Sequence, residues 1–94
     1  MKELELKLYG KVQGVGLRKR VKQLSAEEGR DLVGYVQNTA SGSVEILAQG
    51  KDEELETFLT EVRKGTMHSQ IDQVKIIWHE RPQDSFVEFE IWSE

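Results

Sequence analysis

Leu4, Leu6 and Leu8 are separated by Glu5 and Lys7. Apolar residues at a period of two predict a strand with its leucines on one buried face. Three glycines within Gly10–Gly16 then predict a loop. Leu17, Val21, Leu24 and Glu28 recur at helical spacing, predicting a helix from near Leu17 to near Gly29, with the glycine as its stop. Leu32 to Gln37 reads as a second strand, rich in β-formers at Val33, Tyr35 and Val36. Asn38–Gly42 reads as a turn, and Val44, Ile46 and Ala48 as the inward positions of a third strand that completes a hairpin.

A second helix is the clearest element. Leu55, Phe58, Leu59 and Val62 fall at i, i+3, i+4 and i+7 and form one apolar stripe. Asp52, Glu53 and Glu54 crowd its start, Arg63 and Lys64 its end, both in accord with the helix dipole, and Gly65 is the expected cap. Val74, Ile76 and Trp78 alternate as a fourth strand. Arg81–Ser85, holding the only proline, interrupts the pattern, and Val87, Phe89 and Ile91 form a fifth run. The order is β, α, β, β, α, β with a short further strand or hairpin arm. It predicts an α+β, ferredoxin-like βαββαβ two-layer sandwich: an antiparallel sheet with two helices on one face.

Length and composition narrow the class. The 94 residues suffice for a single domain spanning 1–94. A net charge of −4 argues against a nucleic-acid partner, which requires a basic surface. The absence of cysteine excludes disulfides, thiolate nucleophiles and zinc–thiolate sites. No apolar run is long enough to span a bilayer, and the N-terminus lacks the apolar stretch of a signal peptide, so no membrane partner and a cytoplasmic location are expected. His68 and His79 stand eleven apart with no visible carboxylate pattern, which predicts neither a metal site nor a Ser-His-Asp triad. Trp78 and Trp92 sit in strand patterns and read as packing residues.

The segment Gly10–Arg18 is the one that suggests chemistry. A strand ends, glycines turn the chain, and a helix begins with an arginine. The first amides of a helix have no internal acceptor, and loop glycines let a ligand approach the backbone, which together suit a phosphate. Arg18 in the first turn could take two phosphate oxygens with its planar fork. The plainer reading is a tight strand-to-helix turn with Arg18 in solvent, and glycine count alone does not separate the two. The basic run Arg18–Lys22 is open in the same way, as a solvated face or as a source of local positive potential.

These residues carry a family likeness. Leu8-Tyr9-Gly10-Lys11-Val12-Gln13-Gly14-Val15-Gly16-Leu17-Arg18 resembles the first signature of the acylphosphatases. Gly34-Tyr35-Val36-Gln37-Asn38, followed by Gly42-Ser43-Val44 and Gly50, resembles the second. The resemblance implies a cofactor-free and metal-free enzyme that hydrolyses small-molecule acyl phosphates and is expected to act as a monomer. It implies phosphate binding by the backbone of Gln13, Gly14, Val15, Gly16, Leu17 and Arg18, with Arg18 and Asn38 as the catalytic pair and Asn38 positioning water. Two departures stand out. Leu17 replaces the family's usual aromatic residue or methionine, and the stretch from Arg18 to Asn38 is slightly long, the extra residues falling near Glu27–Asp31. Two rival readings are a non-catalytic module that binds acyl or carbamoyl phosphate, as in larger hydrogenase-maturation proteins, and an RNA-binding ferredoxin-like domain. The length favours a free-standing enzyme over the first, and the charge disfavours the second.

Overall fold

The computed structural model describes residues 1–93. The elements follow the predicted order: β1 (Lys2–Lys11), α1 (Leu17–Leu24), β2 (Val33–Asn38), β3 (Val44–Gly50), α2 (Asp52–Val62), β4 (Gln70–His79) and β5 (Phe89–Trp92). The sheet order is β4-β1-β3-β2-β5. β1, β2, β3 and β4 pair antiparallel, as the ferredoxin-like pattern requires. β5 adds a parallel pairing with β2, so the complete sheet is mixed. No helix among the described residues is long and apolar enough to cross a membrane.

Period-two and period-3.6 stripes meet in one core. Leu4, Leu6 and Leu8 of β1 and Val44, Ile46 and Ala48 of β3 pack with Leu17, Val21 and Leu24 of α1 and Leu55, Phe58 and Val62 of α2, all buried. Both helices therefore cover the same sheet face. A buried leucine contributes roughly 1.5–3 kcal/mol relative to an exposed one, so the three β1 leucines alone anchor the central strand firmly.

Three boundaries differ from the periodic reading. α1 stops at Leu24. Glu27–Gly29 form a separate 3-10 turn, in which Glu28 takes a left-handed conformation with φ 55°. Arg30 refills the space beyond the helix end: its side chain is buried, its Nε donates to the Leu24 carbonyl at 2.9 Å, and Nη1 lies 2.7 Å from Glu61 of α2. The second difference is that Asn38 is the last residue of β2 rather than the first of a turn. Thirdly, β5 starts at Phe89, because Val87 lies almost wholly in solvent.

β4 and β5 occupy opposite edges of the sheet, so the segment joining them crosses the face that carries no helix. Gln49 Nε2 donates to the Asp84 carbonyl at 2.7 Å, and the Gln83 amide donates to Glu3 at 3.1 Å, pinning the crossing. β5 is then fixed by stacking of Trp92 on Tyr35, with ring centroids 3.9 Å apart and planes 5° apart, and Phe86 tilts against both. Burial raises the pKa of the Tyr35 hydroxyl above its ordinary value, and its hydrogen bond to Glu45 adds to the shift. Trp92 is thus a packing residue as expected, whereas Trp78 on the edge strand stays substantially exposed. Close approach explains two glycines. A Cβ at Gly34 would overlap the Leu47 carbonyl, and one at Gly10, beside a register shift between β1 and β4, would overlap the Gln70 carbonyl.

Candidate active site

The loop leaving β1 reaches α1 through two glycines in left-handed conformations, Gly14 (φ 72°) and Gly16 (φ 76°). Gly16 is the residue preceding the helix, and it offers no side chain to cap it. The first helical hydrogen bond runs from Arg20 N to the Gly16 carbonyl at 3.1 Å, leaving the earlier amides without an acceptor inside the helix. The first turn also contains no acidic residue. α2 shows the ordinary arrangement, with Asp52, Glu53 and Glu54 in its first turn. α1 instead places Arg18 and Lys19 at the positive end of its own dipole. That arrangement disfavours the isolated helix and favours an anion beside it.

A cleft opens at this point, lined by Val12, Gly14, Gly16, Leu17, Arg18, Lys19, Asn38 and Ile91. Four of the six residues expected to bind phosphate thus line it, and so do both members of the expected catalytic pair. Gln13 and Val15 frame the loop instead. Gln13 Nε2 donates to the carbonyls of Thr39 and Ser43, each at 2.9 Å, and so ties the loop to the β2–β3 turn. Val15 packs against the core, while its carbonyl accepts from Thr66 Oγ1 at 3.1 Å. The loop is therefore held from both sides before any ligand arrives, the condition for binding without a large ordering cost.

Asn38 reaches the cleft because β2 is one strand removed from β1 across β3, with Asn38 paired to Val44 and Leu8 to the same Val44. Its Oδ1 is buried and has no hydrogen-bond partner among the described residues. A buried acceptor with a free lone pair is costly unless a donor visits it. The Arg18 guanidinium makes one long contact, Nη1 to the Trp92 carbonyl at 3.5 Å, which leaves most of its donors available. Within the basic run, Arg20 is engaged by Glu27 at 3.0 Å, whereas Lys19 lines the cleft. Lys19 and Ile91 escaped the sequence reading as individual site residues. Lys19 was visible only as part of a charge run, and Ile91 enters through the parallel docking of β5, which no local pattern announces.

Comparison with known proteins gives a concordant picture. Residues 4–91 match the acylphosphatase family model. An acylphosphatase of Bacillus licheniformis is 40% identical over 82 residues, covering 87% of this chain and 88% of its own. One from Caldanaerobacter subterraneus subsp. tengcongensis is 35% identical over 79 residues, covering 84% and 86%. The crystal structure of acylphosphatase from Bacillus subtilis matches with a TM-score of 0.90 at 30% identity, covering 98% of this chain and 99% of that one. Sequence likeness and structural likeness extend together over nearly the whole length, and on that ground the chain belongs to the acylphosphatase family.

Proposed function

We propose that this cleft hydrolyses acyl phosphates by seating the phosphoryl group against the amides of the 13–18 loop and the Arg18 guanidinium, with Asn38 holding the attacking water. Family membership supports the reaction class. The buried, unpartnered Asn38 Oδ1, in the same cleft as the free helix amides and Arg18, supports the division of roles.

The substrate is a mixed anhydride whose leaving group is a carboxylate, already a weak base. Water forms a bond to phosphorus, and the bond from phosphorus to the acyl oxygen breaks. The electron pair leaves on the carboxylate, and a water proton passes to a phosphoryl oxygen. Positioning and charge stabilisation are the main demands of such a transfer. The loop amides and Arg18 meet the spreading negative charge. Asn38 Oδ1 accepts a hydrogen bond from the water and turns its lone pair toward phosphorus. Among the described residues, none that lines the cleft carries a carboxylate, imidazole or thiol, in keeping with a phosphoryl oxygen as the proton acceptor.

Asn38→Ala tests the reading. Turnover of an acyl phosphate should fall about 10²-fold to 10³-fold, the cost of removing one positioned polar group at a reacting centre. Inhibition by inorganic phosphate should remain within about twofold, because the amide contributes to water and not to the anion. Equal losses in turnover and phosphate affinity would refute the assignment.

A further inference from the structure

We infer that Glu3, Glu5 and His79 form a binding site for one Zn²⁺ ion on the sheet face opposite the helices. The antiparallel pairing of β1 with β4 sets Glu3 directly across from His79. Glu5 follows two residues later on the same strand face, because Leu4 and Leu6 point into the core. His79 Nε2 lies 3.2 Å from Glu5 Oε2 and 3.9 Å from Glu3 Oε2, and the three ligand atoms all fall within 4.8 Å of one another. Ligand atoms around a tetrahedral zinc with bonds of about 2.0 Å stand about 3.3 Å apart, so small rotations suffice to close the set.

An unsatisfied buried group points to an occupant. Glu3 is fully buried. Its Oε1 accepts from Gln49 Nε2 at 2.9 Å and from the Gln83 amide at 3.1 Å. Its Oε2, aimed at His79, has no hydrogen-bond partner among the described residues. His79 Nε2 is also buried without a hydrogen bond, despite its short distance to Glu5. A bare carboxylate oxygen and a bare imidazole nitrogen facing each other would both be satisfied by one cation between them.

The surroundings match that occupant. Gln83 Nε2 lies 3.3 Å from His79 Nδ1. Turned over, the Gln83 amide oxygen accepts from Nδ1–H and leaves the Nε2 lone pair facing the carboxylates, the outer-shell arrangement of a metal-bound histidine. One imidazole and two carboxylates suit Zn²⁺, leaving a fourth position to water. The ion would tie β1, β4 and the segment that crosses the open face. Glu3 stands seven residues before Gly10, about 23 Å along the strand, so the ion would act on stability and not on the reaction.

Zn²⁺ is titrated by calorimetry into the chelator-treated full chain at neutral pH, and thermal unfolding is followed with and without the ion. The expected result is one equivalent bound and a Tm rise of about 5 °C or more at saturation. Both effects should vanish in Glu3→Gln and in His79→Gln and persist in His68→Gln. Should Glu3→Gln fail to fold, the edge-strand variant His79→Gln, at a half-buried position, decides alone. No uptake at millimolar Zn²⁺, or uptake retained in His79→Gln, overturns the inference. So does a stability that follows His79 protonation and ignores the metal, since the occupant is then a proton.

Discussion

Arg18→Ala is expected to lower turnover of acyl phosphates by about 10³-fold or more, with phosphate inhibition weakened about tenfold or more in parallel. Arg18 brings a delocalised charge and a planar fork of donors to a cleft whose other attractions are neutral amides and the Lys19 point charge. Lys19 cannot take over, because an ammonium does not grip two oxygens in one plane. Arg18→Lys should therefore recover part of the affinity and little of the rate. Steady-state kinetics with inorganic phosphate as competitor measures both quantities. Turnover within tenfold of the parent in Arg18→Ala would mean that the phosphoryl group sits elsewhere. The contrast with Asn38→Ala carries the mechanism, since only the arginine variant should lose the anion as well as the rate.

Glu61→Ala is expected to destabilise the fold by about 3 kcal/mol and to lower Tm by more than about 10 °C. The cause is Arg30, whose side chain is 4% exposed. Removing Glu61 leaves a buried cation with the Leu24 carbonyl and a distant Glu27, 3.9 Å away, as its remaining partners. The lower end of the usual range applies for two reasons. The 2.7 Å approach makes no hydrogen bond at Glu61 Oε1, so the pair is held by charge more than by alignment. Glu61 is also a quarter exposed, which lets water soften the loss. A chain of this size has about 5–15 kcal/mol in total, so the change is large. Replacing both partners, Arg30→Met with Glu61→Leu, should recover most of it, because the desolvation cost then disappears together with the attraction. Urea unfolding of the three proteins measures this, and a loss under about 1 kcal/mol in Glu61→Ala would show that Arg30 is solvated after all.

The layers of the fold were readable because burial writes a period into the chain. The leucines of β1, the alternation of β3 and the stripe of α2 each follow from one buried face. The loop and Arg18 were readable because glycine and arginine signal backbone freedom and anion affinity at their own positions. What escaped was non-local. The end of α1 at Leu24 depends on Arg30 folding back under the helix, and Gly29 stops only the 3-10 turn that follows. β5 is four residues long, and its parallel docking rests on Trp92 stacking on Tyr35, a pair far apart in sequence. The neighbourhood of Glu3 and His79 is set by register between strands separated by most of the chain, and spacing in sequence carries no trace of it.

The glycines are constrained in two ways, and the difference shapes which sequences a descendant lineage could reach. At Gly14 and Gly16 an added Cβ meets no atom within 4 Å, so only the dihedral is demanding, and asparagine is a passable stepping stone. Drift at position 16 would crowd the mouth of the cleft while the scaffold survives, producing a folded but silent protein. Positions 10 and 34 offer no such intermediate, because neighbouring main chain already fills the volume of a methyl group. Loss there removes scaffold and activity in one step, so purifying selection on those two sites would persist even in a copy that had abandoned hydrolysis.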